Sequence, residues 1–362
     1  MSVLLEAADE YAALELLHEL GCTDGLPVVV PTPARVERMA LASGLASDLS
    51  LGAMGPNLGD ATVEKIAACA VMAGCLPDHM PVVMAAVSAV LDPAFDLTEL
   101  QATTHCLAPL IVVNGPARRA AGLAGGFGAL GAGHRANAAI GRALRLCMIN
   151  IGGGRPGVSD MSLHGHPGKF SFCLGEAEED SPFPPLHEAR GFASGESAVT
   201  VVGVEAPHSV LGLVDADDAG SAERFLRTLG ACLANVGSNN IHLRGGAAVV
   251  VLNPDHAAGL AAAGYDRASL TNALHGFASR TVGELAPYAT AFRHKGPADK
   301  VVHAFRRPED ILVLVAGGVG LYSMVMPSWC GGPHRNPAIS KPIELDQACE
   351  IPGLAPAGAV NA

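Results

Sequence analysis

"LIVVNGPARRAAGLAGG" (residues 110–126) runs from a short apolar stretch through an Asn-Gly-Pro turn into a segment of small residues. "AVVVLNPDHAAGLAAAG" (248–264) repeats that order. An apolar run of four to eight residues, rich in β-branched side chains and closed by a turn, reads as a buried strand. The small-residue segment after each turn reads as a helix. A second helical segment with an internal asparagine comes next in both places, "RANAAIGRALRL" (135–146) and "SLTNALHGFASR" (269–280). Asn114 then corresponds to Asn253, and Asn137 to Asn272. The recurrence predicts an internally duplicated βα-type unit.

Two further Val-rich runs, 197–207 and 310–318, also read as buried strands. Strands that alternate with helical segments predict an α/β fold with mixed sheets and packed helices. Helices are expected over 4–20, 62–74 and 80–93, and a short strand over 26–32. Thr62 or Asp60 would cap the second helix and Gly74 would end it. The resulting division is an N-terminal segment packing on the core (1–60), a first lobe (61–195), a second, related lobe (196–345) and a C-terminal tail (346–362). The cleft between the lobes is the expected ligand site.

Composition narrows the function. The 362 residues carry a formal net charge of -12, with only 16 % charged and 49 % hydrophobic. The mean hydropathy is +0.32. Such a chain must bury a large core, an oligomer interface, or both, so a homo-oligomer is expected. An acidic chain without a Lys/Arg block is not built to hold nucleic acid. No apolar run reaches the length of a membrane span, and no basic leader opens the chain. The nine cysteines are dispersed and contain no CxxC pair, which points to a reduced, cytoplasmic protein.

The chemistry concentrates in "SDMSLHGHPGKFSFCLGEAEEDSPFPPLH" (159–187). His166, Lys169, Glu176 and His187 are the candidate acid–base residues. If 168–176 is a strand, Lys169, Ser171, Cys173 and Gly175 share one face. Cys173 is then a candidate catalytic thiol, with Cys330 in "PSWCGGPH" as another. His164 and His166, two apart, would suit a divalent metal, with His187 or Glu176 as a third ligand. A salt-bridged surface loop is the plain alternative. "GFGALG" (126–131) has the G-x-G-x-x-G spacing and leads into a helix. The preceding strand ends some ten residues earlier and no acid follows to hold a ribose, so neither nicotinamide nor flavin is expected. A simpler anion pocket is the reading there, with Gly126, Gly128, Arg135, Asn137 and Arg142 holding a substrate carboxylate or phosphate.

The stretches "DGLPVVVPTPARVERM", "TVEKIAACAVMAGCLPDHMPVVMAAV", "ATTHCLAPLIVVNGP", "RANAAIGRALRL", "GHPGKFSFC" and "PLHEARGF" resemble a bacterial family encoded beside small proteins with a UGSC or CGSC motif. The resemblance runs through most of the chain. His166, Lys169, Glu176 and His187 fit its pattern, whereas His164 does not. It implies a UGSC/CGSC-type redox protein as a partner. This chain has neither selenocysteine nor CGSC, so it would be the partner subunit. The leading expectation is an enzyme that acts on a small, anionic substrate by acid–base chemistry of the lyase or hydrolase type. The alternatives are a partner subunit of a thiol/selenol-based reductase and a non-catalytic binding protein for a small acid.

Overall fold

The computed structural model describes residues 4–288 and 294–345; the expected tail, 346–362, lies outside the described residues. Eight strands form two four-stranded sheets: β1 (Ala108–Asn114), β2 (Cys173–Gly175), β3 (Ala198–Val204), β4 (His208–Leu211), β5 (Ala248–Leu252), β6 (Ile311–Val315), β7 (Tyr322–Met326) and β8 (Ile339–Pro342). The first sheet has the order β8-β3-β1-β2 and the second β4-β7-β5-β6. In each, the first two pairings are antiparallel and the last is parallel. The fold is α/β with mixed sheets, as expected.

The sheets pack face to face. Leu110, Val112, Leu174, Val202 and Val204 meet Val249, Val251, Leu312, Leu314 and Met326 in one buried layer. The other face of the first sheet, with Ile111, Val113, Cys173, Val199 and Val201, lies under helices α1 (Val63–Ala73), α2 (Met80–Leu91) and α3 (Arg135–Asn150). The outer face of the second sheet packs on α4 (Ser221–Leu233), α5 (Pro254–Ala262) and α6 (Arg267–Phe277). Four layers result. The central strands are covered on both faces, which is why they read as unbroken apolar runs and not as alternation. Each fully buried Val or Leu there contributes about 1.5–3 kcal/mol. Edge strand β4 buries only Val210.

The two halves of the chain exchange their last strands. β3 belongs to the first sheet, but the chain then crosses and β4 pairs with β7. β7 belongs to the second sheet, and the chain returns so that β8 pairs with β3. Where the crossings pass, Val204 bridges Ser328 and the Glu205 N–H donates to the Pro327 carbonyl at 2.9 Å. Sheet membership therefore does not follow a boundary at 195/196, because 198–204 and 339–342 both pair within the first sheet. The layer between the sheets is packed core and not a cleft.

Both expected βα units begin as a strand followed by helices. Asn114 and Asn253 each stand at the C-terminal end of their strand. Thr62 caps α1 by accepting from the Lys65 N–H, and Gly74 closes it in the left-handed conformation. The first helix spans Glu10–Glu19 and the helix expected over 80–93 ends at Leu91. Residues 26–32 belong to no sheet among the described residues; the Val29 N–H ties them to the core by donating to the Met72 carbonyl. Among the described residues no single helix is long and apolar enough to cross a membrane.

The interleaving makes a stability prediction. Leu110→Ala in the inter-sheet layer should cost roughly 2–5 kcal/mol. Because each sheet holds a strand from the other half, Trp329 fluorescence and far-UV circular dichroism should still report one coincident urea transition. Two separated transitions would show that the sheets unfold independently.

Candidate functional site

β1 starts right after His105 and Cys106, and its N-terminal end faces the crossing. Segment 161–165 is laid alongside, with the Met161 N–H donating to the Gln101 carbonyl (2.9 Å) and the Leu163 N–H to the Thr104 carbonyl (3.1 Å). This brings Ser162, His164 and Gly165 onto the Cys106 thiol. Burial pushes that thiol up, but the Ser162 hydroxyl, the His164 and Gly165 N–H groups and the Lys169 ammonium outweigh it. Together they hold Cys106 below the ordinary thiol range. It is half-buried, within reach of solvent.

Lys169 closes the short 3₁₀ turn Pro167–Lys169 and donates to both Asp160 oxygens, at 2.6 and 2.7 Å. Arg145, buried on α3, reaches the same carboxylate at 3.4 Å. Burial lowers the Lys169 affinity for its proton, Asp160 restores part of it, and Arg145 opposes it again; the net direction is down. The cation is thus held rigidly beside the thiol and is easier to deprotonate than a free lysine.

Two imidazoles flank the group. His105 bonds through Nε2 to Glu205 (2.9 Å) and through Nδ1 to the Asn239 side chain (2.8 Å). His166 accepts from the Gly168 N–H at Nδ1 (3.1 Å), which assigns the proton of the neutral ring to Nε2. Nε2 is buried and makes no hydrogen bond of ordinary geometry, although the Val204 carbonyl is near enough to favour the protonated ring. Burial dominates and holds His166 below the usual imidazole range.

The other expected site residues lie elsewhere. Glu176 is at the opposite end of the sheet. It accepts from the Asn114 amide (2.6 Å) and the Leu186 N–H (2.7 Å), next to Arg267 at 3.8 Å. The seven residues of β1 put about 20 Å between the two ends. Lys169 and Glu176 therefore do not share a concavity: β2 runs between them. His187 follows Leu186, is fully buried, and among the described residues finds no partner for either ring nitrogen. Cys173 faces the helical layer, where burial pushes its thiol far up. Only 173–175 of the expected strand 168–176 forms, so Lys169 is not on a strand face with Cys173. Cys330 is buried against the Asn239 carbonyl (3.4 Å), and burial raises it to about 11.

The glycine-loop pocket is not assembled either. Asn137 spends its amide on the Ala124 N–H, the Ala124 carbonyl and the Ala129 carbonyl, each at 2.9 Å, and so clamps the loop that carries Gly126 and Gly128. Arg135 donates to the Gly74 carbonyl. Arg142 forms a fork with Asp24, both contacts 2.8 Å. These three side chains hold structure. His164 is exposed, and among the described residues no three His, Cys, Asp or Glu side chains converge as a metal site.

Sequence reading found His166 and Lys169 but passed over His105, Cys106, Arg145, Asp160 and Glu205. The available signal was a His-Cys pair directly before a buried strand, in "ATTHCLAPLIVV". Comparison with protein-family models, curated proteins and solved structures finds no match for this chain.

Glu176→Ala separates structural from chemical roles. It would leave the Asn114 and Leu186 donors buried without an acceptor and Arg267 without its carboxylate. The expected loss is about 3–5 kcal/mol in chemical denaturation. Reactivity of the Cys106 thiol, at the far end of the sheet, should be unchanged.

Proposed function

We propose that this protein is an enzyme in which Cys106 attacks the electrophilic carbon of a small substrate, in a reaction of the hydrolase type. The single observation that carries this reading is the environment of the Cys106 sulfur. A hydroxyl, two backbone N–H groups and an ammonium all favour its thiolate, and the thiolate is the nucleophilic form. In the step envisaged, Sγ bonds to a carbonyl carbon and the bond from that carbon to the leaving group breaks. The Lys169 ammonium, which its surroundings make easier to deprotonate, supplies the proton to the departing atom and recovers it from the water that enters next. Water then cleaves the thioester and returns the thiolate. Lys169, fixed by Asp160 and Arg145, keeps the sulfur ionised between turnovers. His105 and Glu205 form an imidazole–carboxylate pair at the same strand end and would orient the water.

The half-exposure of Cys106 supports a second reading, thiol exchange with a UGSC/CGSC-type redox partner. The matching strand order of the two sheets, with Asn114 and Asn253 at equivalent ends, supports reading the chain as an internal duplication whose copies exchange their last strands.

The thiol can be tested without knowing the substrate. Alkylation by iodoacetamide, mapped by mass spectrometry across a pH series, should modify Cys106 faster than Cys22 or Cys232, whose thiols burial raises. The thiolate is the alkylated form, so a lowered pKa moves the midpoint of the rate profile to lower pH. Lys169→Met should move it back up and slow labelling near neutral pH severalfold. Equal rates at all three cysteines would overturn the reading. A mixed disulfide with a small CGSC protein, formed only by Cys106, would favour the second reading over the first.

A further inference from the structure

We infer that the second sheet carries its own binding site, for a small multivalent oxyanion, at the strand ends equivalent to those around Cys106. A pocket of about 420 Å³ opens there, walled by Arg244, Arg306, Arg335, His275 and His303 over Phe305. Arg244 lies a few residues before β5, Arg306 before β6, and Arg335 on the return crossing between β7 and β8. In the first sheet the residues before β1 and β2 are Cys106 and Lys169. The same strand ends therefore present a thiol in one half and guanidinia in the other. This inference does not rest on the proposed chemistry of Cys106.

The charge balance points to an anion. Among the described residues no carboxylate lines the pocket and none of the three arginines forms an ion pair. Yet they converge. A methyl group on Gly245 would stand 3.6 Å from Arg306 Nε and 3.7 Å from Arg335 Nη1. The two guanidinia are therefore within ~7 Å of each other, where like charges repel. Arg306 Nε also donates to the Arg244 carbonyl at 3.4 Å, which fixes the third chain segment against it. In a protein with 23 Lys and Arg against 35 Asp and Glu, unpaired arginines gathered this way are poor use of scarce cations unless a ligand neutralises them.

The backbone shows the same organisation. Arg244 and Arg335 adopt left-handed conformations at φ 58° and 63°, and Asn336 follows at 52°. Non-glycine residues take this region at a cost, and such residues collect at ligand clamps. Here the strained residues are two of the guanidinium bearers. Asn336 is pinned by its amide to the Gly203 carbonyl at 2.9 Å, which holds the Arg335 backbone in place.

The imidazoles complete the wall. His275 and His303 stack with centroids 5.1 Å apart and planes 4° from parallel. His275 Nε2 is spent on the Phe305 carbonyl (3.2 Å) and His303 Nδ1 on the His275 carbonyl (3.3 Å). These two bonds fix both rings as a rigid, flat wall of the pocket. Planar guanidinium forks pair with carboxylate and phosphate oxygens alike. Three of them around one cavity of this size suit a molecule with more than one anionic group.

Isothermal titration of the full chain at low ionic strength tests the site, with inorganic pyrophosphate and with citrate as separate probes. One probe should bind at a single site and weaken as sodium chloride is added. Arg335→Gln and Arg306→Gln should each weaken it roughly tenfold or more, the loss expected for one charge-assisted contact. Arg227→Gln, on α4 and outside the pocket lining, should bind as the parent does. Unliganded melting temperatures of the Arg335 and Arg227 variants establish that each is folded. Preference for pyrophosphate would identify a phosphorylated ligand, and preference for citrate a polycarboxylate. Absence of binding by both probes, or equal binding by the parent and the Arg335 variant, would overturn the inference.

Discussion

The exchange of edge strands is the constraint on which the rest of the structure depends. β3 passes its continuation to the second sheet, and β7 passes its continuation to the first. The two crossings hydrogen-bond to each other at Val204, Glu205, Pro327 and Ser328. Asn240 completes the knot: its side-chain oxygen accepts from the Ser328 N–H (2.8 Å) and its amide donates to the Gly245 carbonyl (2.7 Å). Neither sheet is whole without the other half of the chain. The face-to-face apolar layer is the consequence, because two sheets joined this way have nowhere else to bury their inner faces.

The same constraint decides where chemistry has room. At the C-terminal ends of β1 and β2, the usual place for ligands in open parallel sheets, the structure is tied shut. Glu176 holds Asn114 and Leu186, the Ala177 N–H donates to the Val315 carbonyl (2.8 Å), and the Gly317 N–H donates to the Gly125 carbonyl (2.7 Å). Gly125 is required here: a methyl group would meet the Gly175 carbonyl oxygen at 2.7 Å. At the opposite end the two crossings pass from sheet to sheet. His105, Cys106, Lys169 and Glu205 gather there around the first sheet, and Arg244, Arg306 and Arg335 around the second.

Burial gives the ionisable groups different roles. The Glu176 carboxyl is pushed up by burial and is used to satisfy neighbouring donors. Arg118 is buried among Glu178 and Glu179 and is spent in the same way. Such groups are committed to their neighbours inside the protein. Lys169 and Cys106 are different, since each is partly open and each is shifted toward its deprotonated form. The cysteines make the comparison sharpest. Cys173 and Cys75 are of the same residue type as Cys106, but apolar burial drives their thiols up, Cys75 to about 12.

Much of the fold was legible from sequence, because strands covered on both faces must be continuous apolar runs. β1, β3, β5 and β6 announce themselves in this way, as do α1, with its Thr62 cap and Gly74 stop, and α2. Strands β4, β7 and β8 were not legible. They are short edge or near-edge strands whose side chains are partly exposed, so their local pattern is weak. Pairing was not legible either: nothing in 198–211 says that its two strands join different sheets. For the site, His166 and Lys169 stood out through their own chemistry. Glu176 and His187 are close to them in sequence, but β2 carries the chain to the far end of the sheet, and proximity along a chain does not survive a strand. Cys106 looked like any other small buried residue. Its character comes from Ser162, Gly165 and Lys169, more than 50 positions away. Hydrophobic burial is decided locally and can be read one residue at a time, whereas a thiol's charge state is set by groups that meet only after the chain has folded.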